Sequence, residues 1–414
     1  MRRRPALLFL IYSAIFHIGL LGMLDVLVNF YFVSLGHSPE TIGLLQALPR
    51  LAGFITSVPI GLLANRIGTR RLLILATIGA ALALWLQLIP ILPMLAISRF
   101  LFGLCYGAQQ IATSPQMVSL VDPKERTGFF AAHNGISMGA MAFGSIVGGY
   151  MPAWIVSLSS GIVSPEWTAS VTTPFAYGAA IFAAGALGML SAVPLFLTRE
   201  SAPSDATAPD IPKRTWNAVG IPWARMVFLS IPMLTFGFTG GLTFPFFNLF
   251  WRTQFDLPDQ TVGQILSIGW IGMALIPLAG STLERRFGRA GSLGITLIIA
   301  SAAFFGLGML PALPISVAMF ALAISFRNTM QPLFQPLVLE TLPPELHNVI
   351  SSVNMVLWNI GWFGSTAMGG FLLANFGFGV MMNIVTVGLV ITAALVVIIF
   401  RQRERALKAA LGSD

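Results

Sequence analysis

The stretch that decides the fold is Gly61–Arg71, Gly-Leu-Leu-Ala-Asn-Arg-Ile-Gly-Thr-Arg-Arg. An apolar run from Ile42 to Ala64, broken by one charge at Arg50, leads into it. An uncharged apolar run from Leu72 to Leu92 leads out of it. A helix needs about 20 apolar residues to cross a bilayer, and Lys and Arg collect in cytoplasmic loops. Two such runs joined by a short loop carrying Arg66, Arg70 and Arg71 therefore read as a hairpin of spans with its loop in the cytoplasm. Gly61 and Gly68 allow a tight turn and close backbone approach.

The rest of the chain extends this reading. Hydrophobic residues make up 56% of the 414 residues and charged residues 9%. Soluble domains carry about 25% charged residues, so this is a polytopic membrane protein. Apolar runs of about 20 residues favour helices over the ~10-residue alternation of a barrel. The net charge of +8 would suit a nucleic-acid partner, but its distribution excludes one. All Lys and Arg except Arg50, Arg99, Arg252 and Arg327 fall in segments expected on the cytoplasmic side. A single cysteine, Cys105, excludes an internal disulfide. The run after Met1-Arg-Arg-Arg-Pro extends to Phe32, too long for a signal sequence, and is taken as the first span.

Twelve spans are expected, at about 6–32, 41–64, 72–90, 94–119, 129–151, 174–197, 224–250, 260–283, 291–310, 315–339, 349–374 and 379–400. The chain is expected to be multi-pass in the plasma (inner) membrane, with both termini cytoplasmic. Outer loops are short except Pro152–Thr173, whose Trp154, Glu166 and Trp167 suit the interface. Residues 198–222, rich in Pro, Ala, Ser and Asp, read as a flexible cytoplasmic linker. It joins an N-terminal six-helix bundle, 1–197, to a C-terminal one, 223–414.

The two halves repeat. At an offset of 220, Thr41-Ile-Gly43 meets Thr261-Val-Gly263, and Arg66-Ile-Gly68 meets Arg286-Phe-Gly288. At 221, Gln110 meets Gln331, Pro115 meets Pro336, Pro123 meets Pro344, and Gly148-Gly149 meets Gly369-Gly370. A duplicated bundle implies pseudo-symmetric halves around a central midplane cavity.

The loop pattern G-x-x-x-[DN]-R-x-G-x-[RK]-[RK] between the second and third spans resembles the signature of the major facilitator superfamily. Asn65 stands where that family usually has Asp. It keeps a hydrogen-bonding group but removes a charge often used to lock one conformation. With the repeat, the resemblance covers nearly the whole chain. It implies an all-α membrane fold of twelve helices, a secondary transporter working by alternating access, and a monomer. Gly61, Asn65, Arg66, Gly68, Arg70 and Arg71 would form the conformational loop. Spans 1, 4, 7 and 10 would line the cavity and spans 3, 6, 9 and 12 would face lipid. The sequence agrees, since the lipid-facing set carries no ionisable residue while spans 1, 2, 4 and 10 each carry an acid or an arginine.

Scaffold should match between halves, and function should sit where they differ. In register, Asp25 meets Pro245, Arg50 meets Trp270, Arg99 meets Phe320 and Tyr106 meets Arg327. Every intramembrane charge is unmatched. Residue counts place Asp25, Arg50 and Arg99 in one layer, about 8–14 Å from the outer ends. Charges at the bilayer centre cost about 2.5–3.5 kcal/mol or more, so these groups should face the cavity or pair with each other. Asp25 is the expected proton site. Arg50 or Arg99 is expected to couple to it or to hold an anionic group, for which a guanidinium is suited. A permanent ion pair or triad that serves packing is the alternative. An acid on span 1 with Arg99-Phe-Leu-Phe-Gly103 is similar to the R-x-x-x-G pattern of proton-coupled exporters. Gly144-Ser145 replaces the Gly-Pro of drug antiporters within Gly135–Gly149, whose glycines still suit packing against span 8.

Arg327, Gln331 and Gln335 share one helical stripe and face Tyr106, Gln109, Gln110 and Gln116 as expected cavity lining, with Arg327 a second candidate contact for the anion. The C-terminal half supplies aromatics: Phe244, Phe246 and Phe247, Trp270, and Trp358 and Trp362 beside Asn354 and Asn359. A charged half facing an aromatic half suits an amphiphile with an anionic head. For each glutamine and each ring, helix packing is the competing role. His17 suits a hydrogen-bonded packing role over a proton relay.

No P-loop, metal-ligand spacing or nucleophile–base pattern is present, so no enzyme, cofactor or metal site is expected. Small-molecule substrate, protons and membrane lipid are the expected partners. Proton-coupled export of an amphiphilic or anionic compound is the leading expectation. Organic-anion uptake or a uniporter, a lipid flippase on the same fold, and a non-transporting assembly factor are the alternatives.

Overall fold

The computed structural model describes residues 3–165, 170, 172–198, 222–343 and 346–411. The expected linker residues 199–221, Glu166, Trp167 and the side chain of Asn65 lie outside that description. Among the described residues the chain is helical, with no β-strand, and eight segments are long and apolar enough to cross a membrane.

The first span is Arg3–His17, a wide π-turn at Ile18–Met23, and Leu24–Ser34. Spans 2 to 6 are Pro39–Ile67, Thr69–Leu86, Leu92–Leu120, Arg126–Ser159 and Pro174–Leu197. Span 7 is Trp223–Thr243, a tight turn at Phe244–Phe246, and Phe247–Phe255. Asp259–Gly308 folds back at Gly288 into spans 8 and 9, and His347–Leu411 folds back at Gly377 into spans 11 and 12. Span 10 is Leu313–Arg327 followed by Met330–Leu339. Divided at those two glycines, the segments match the expected spans in order.

One boundary is corrected. Span 5 does not end before Pro152 but continues through it to Ser159, with Trp154 stacked on Tyr150 at 5.8 Å. A proline removes one backbone bond, and in hydrocarbon the remaining groups are best satisfied by staying helical.

The repeat is written into the backbone. Gly68 and Gly288, 220 apart, turn with φ of 87° and 73°. Gly36 and Asp256, also 220 apart, have φ of 80° and 50°. These are left-handed conformations that glycine adopts without steric cost. Spans 1 and 7 are both interrupted beside the register pair Asp25 and Pro245. Pro245 cannot donate to the Gly241 carbonyl, and the Thr366 hydroxyl donates to it instead at 2.9 Å.

The bundles meet through two pseudo-equivalent seams at the end away from the Gly61–Arg71 loop, called here the far end. Gly370 of span 11 lies against Pro39, Glu40 and Gly43 of span 2. Gly149 of span 5 lies against Asp259 and Gln260, and Gly263 of span 8 against Ser145. A Cβ at either Gly370 or Gly149 would collide with the facing backbone, the small-residue contact by which helices associate in lipid. A polar latch caps the same end. The Tyr177 hydroxyl donates to Asp259 Oδ2 at 2.7 Å, and Arg252 Nη1 donates to the Tyr177 oxygen at 2.7 Å. Arg252 also pairs with Asp259 at 3.3 Å and lies 4.4 Å above the Phe30 ring.

Candidate functional site

Asp25, Arg50 and Arg99 each take a partner other than one another. Asp25, at the start of Leu24–Ser34, accepts a hydrogen bond from Trp270 Nε1 of the other bundle at 3.0 Å. A cavity of about 10 Å³ adjoins it, lined by Phe244, Phe247, Leu266, Trp270 and Phe320. That is room for about one water molecule. Phe247 stands edge-on to Phe320 at 4.8 Å and closes one wall.

Arg50 reaches across to span 11. Its guanidinium lies 4.9 Å from the Trp358 ring centroid and 4.5 Å from that of Trp362. The two rings are 5.2 Å apart, as their spacing of four residues requires. Gln110 donates to the Tyr106 hydroxyl at 2.5 Å. Among the described residues Arg50 has no hydrogen-bond acceptor. The Trp358 indole nitrogen and both polar atoms of the Asn354 amide are buried and unpartnered on the same stripe of span 11. Asn359, by contrast, donates to the Met355 carbonyl of its own helix at 2.9 Å.

Arg99 is buried in a chain of amides that the sequence did not suggest. Its Nη2 donates to Gln46 Oε1 at 2.5 Å, and Gln46 Nε2 donates to Asn29 Oδ1 at 2.5 Å. Asn29 Nδ2 donates to Asn248 Oδ1 at 2.8 Å, and Asn248 Nδ2 donates to the Val26 carbonyl at 2.9 Å. The chain runs from span 4 through spans 2 and 1 into span 7. Two signals for it were present. Gln46 lies four residues before Arg50, on the same face, and it stands opposite Leu266 in the repeat.

Arg327 is buried and braces span 7. Its Nη2 donates to the Phe236 carbonyl at 2.7 Å and its guanidinium lies 3.9 Å over the Phe236 ring. Gln331 and Gln335, expected on its stripe, do not bond to it. Both Asn328 and Thr329 keep right-handed helical dihedrals, but Pro332 has no N–H for the Asn328 carbonyl. Gln331 is exposed, and Gln335 donates to Ser351 Oγ at 2.7 Å. Gln109 and Gln116 are buried, and Gln116 accepts from the Thr69 hydroxyl at 2.7 Å. His17 Nδ1 donates to the Ser13 carbonyl at 2.7 Å, a packing bond.

In the signature loop Gly68 makes the turn, and Arg70 caps span 6, its Nε donating to the Leu195 carbonyl at 2.9 Å and its Nη2 to that of Phe196 at 3.1 Å. Arg66 is exposed, and Gly61 lies within span 2. The seams and latch close the charged layer at the far end. On its loop side Gln110 and Gln331 are exposed, and a Cβ at Gly53 would meet nothing.

A profile of the Major Facilitator Superfamily matches residues 10–366. The chain belongs to this superfamily. Among solved structures, a bacterial homolog of the human lysosomal transporter Spinster, inward-facing and occupied, is similar with a TM-score of 0.72 and 17% identity, over 94% of this chain and 95% of that one. The nucleoside transporter NupG is similar at 0.69 and 16%, over 96% and 99%. The E. coli fucose:proton symporter FucP is similar at 0.59 and 15%, over 95% and 97%. Likeness at these identities shows the fold alone. No curated protein matches the chain. This facilitator is a multi-pass membrane transporter, not an enzyme.

Proposed function

We propose that this facilitator is a proton-coupled transporter of an amphiphilic organic anion, with export as the preferred direction. Asp25 carries the proton, and Arg50 with Trp358 and Asn354 receives the anionic head. Trp362, Trp270 and Phe247 receive the apolar body. Tyr106, Gln110 and Gln331 line the approach, while Arg99 couples the layer to span 7 through the amide chain and Arg327 supports the pocket wall. On this reading the bundles are 1–197 and 223–414, joined by a cytoplasmic linker at 198–222. The protein works as a monomer in the plasma membrane with both termini in the cytoplasm, and the Gly61–Arg71 loop controls the conformational change.

The observation that carries this reading is the state of Arg50. Its half-buried guanidinium rests on two indole faces with no acceptor among the described residues, beside a buried, unpartnered indole N–H and a buried, unpartnered amide. Buried donors without partners are costly. A carboxylate or phosphate would satisfy several at once, with the strength of charge-assisted bonds. The test is a thermal-shift screen of alkyl and aryl carboxylates, sulfonates and phosphates on purified wild type and Arg50→Gln. A subset should stabilise the wild type and lose its effect in the variant. Equal stabilisation by neutral analogues of the same body would overturn the anion assignment.

A further inference from the structure

A second cavity lies on the wall of the C-terminal bundle formed by spans 7, 11 and 12, lined by none of Asp25, Arg50 and Arg99. It holds about 710 Å³ between spans 7, 11 and 12. Leu234, Thr235 and Phe238 form one side, and Val380, Val387 and Ile391 are among the residues forming the other. Its floor on span 11 includes Gly361, Gly364 and Ser365. The missing side chains of span 11 make the depression, since a Cβ at Gly364 would meet nothing. Ile360, Val380, Val387 and Ile391 are exposed around it.

Its position in the membrane identifies what fills it. From Val380, just past the far-end turn at Gly377, to Ile391 is eleven residues of helix, or about 16 Å. That is half of a hydrocarbon core about 30 Å thick, so the groove runs from one face of the bilayer to its midplane. The polarity along it has a direction. Asn383, an exposed amide, lies one turn, about 4.5 Å, below Val380, in the upper third of the groove. Below it the span-12 wall is Ile384, Val387, Gly388 and Ile391. A polar upper end over an apolar trough one leaflet deep matches the ester region and acyl chain of one phospholipid.

We propose that this groove is a lipid site that holds an acyl chain of a phospholipid from the far-end leaflet, with its ester region at Asn383. The site flanks the face of span 11 that carries Trp358 and Trp362. Ser365 in its floor donates to the Trp362 carbonyl at 3.1 Å. The bound chain therefore supports the helix that carries the Arg50 platform. The proposal stands independently of Asp25 and Arg50.

The full chain is reconstituted in nanodiscs containing a phospholipid with a diazirine at mid-chain. After photolysis, adducts are mapped by mass spectrometry. A diazirine-bearing free fatty acid is run in parallel. Saturable phospholipid labelling at 360–365 and 380–391 is expected, above that at Leu82 and Phe182, which are exposed on spans 3 and 6. Labelling should fall to that background in Val387→Trp and in Gly364→Phe, both of which fill the groove. Near-UV circular dichroism reports that each variant is folded, and either folded variant suffices. Labelling by fatty acid alone, labelling no stronger than at Leu82 and Phe182, or unchanged labelling in a folded filled variant would each overturn the proposal.

Discussion

Trp270 donates its indole hydrogen to Asp25 across the boundary between the bundles, at 3.0 Å. Trp270 occupies the position that Arg50 holds in the other half of the repeat. Arg50 makes the equivalent crossing in the opposite direction, onto Trp358 and Trp362. The N-terminal half thus presents both charges, and the C-terminal half answers each with an indole. A change in the charge of Asp25 or in the occupancy of Arg50 acts on contacts that must break when the bundles rock.

Trp270→Phe removes the donor and keeps the ring. The account predicts that the pH midpoint of ligand-dependent stabilisation moves in this variant. In an Asp25→Asn background the same substitution should have no further effect on pH dependence. Thermal-shift titrations of the four proteins form a double-mutant cycle, and additive effects would separate the two residues.

Arg50→Lys retains the charge but loses the planar stacking and the forked donors. Ligand affinity should fall by about tenfold, the equivalent of ~1.4 kcal/mol, and by more in Arg50→Gln. Trp358→Phe should cost less than either, since it removes one N–H and preserves a ring. Isothermal titration of a ligand found by the screen measures all three.

Much of this arrangement was legible in the sequence. The repeat register located Gly68 and Gly288, and structure gives both the same left-handed turn. The register also singled out Asp25, Arg50, Arg99 and Arg327 as unmatched. What it could not give was their partners, because those depend on helix rotation and tilt. Arg99 sits in the same layer as Asp25 by residue count, yet it is held by Gln46. Asn29 and Asn248 are one residue out of register, and so their bond across the bundles did not register as a pair. The missing backbone bond at the Asn328 carbonyl was readable in principle from Pro332, whose effect falls on the carbonyl four residues earlier. Pro152 carried the opposite risk, since a helix in lipid can pass through a proline.

Gly68→Ala and Gly288→Ala force a side chain into the left-handed region. With ψ extended at both turns, each should destabilise the protein by about 1–3 kcal/mol. The two effects should be similar, as the repeat makes the turns equivalent. Thermal unfolding in one detergent checks this, and a silent substitution at either turn would contradict it.

Tyr177→Phe and Asp259→Asn each cut the far-end latch. Hydrogen bonds to charged groups contribute about 1.5–3 kcal/mol. If Tyr177 and Asp259 act chiefly in the closed state, the opening equilibrium should shift tenfold or more. The reporter is a thiol at the buried Val26, Val26→Cys with Cys105→Ser. Its reaction with an impermeant maleimide should accelerate in both latch variants.

The central claim is that anion movement and proton movement share one site. The direct measurement is luminal pH in proteoliposomes on addition of a ligand identified by the screen, for wild type and Asp25→Asn. The account predicts ligand-driven proton flux in the wild type and none in Asp25→Asn, while ligand binding persists in the variant. Proton flux in Asp25→Asn equal to that of the wild type would contradict it.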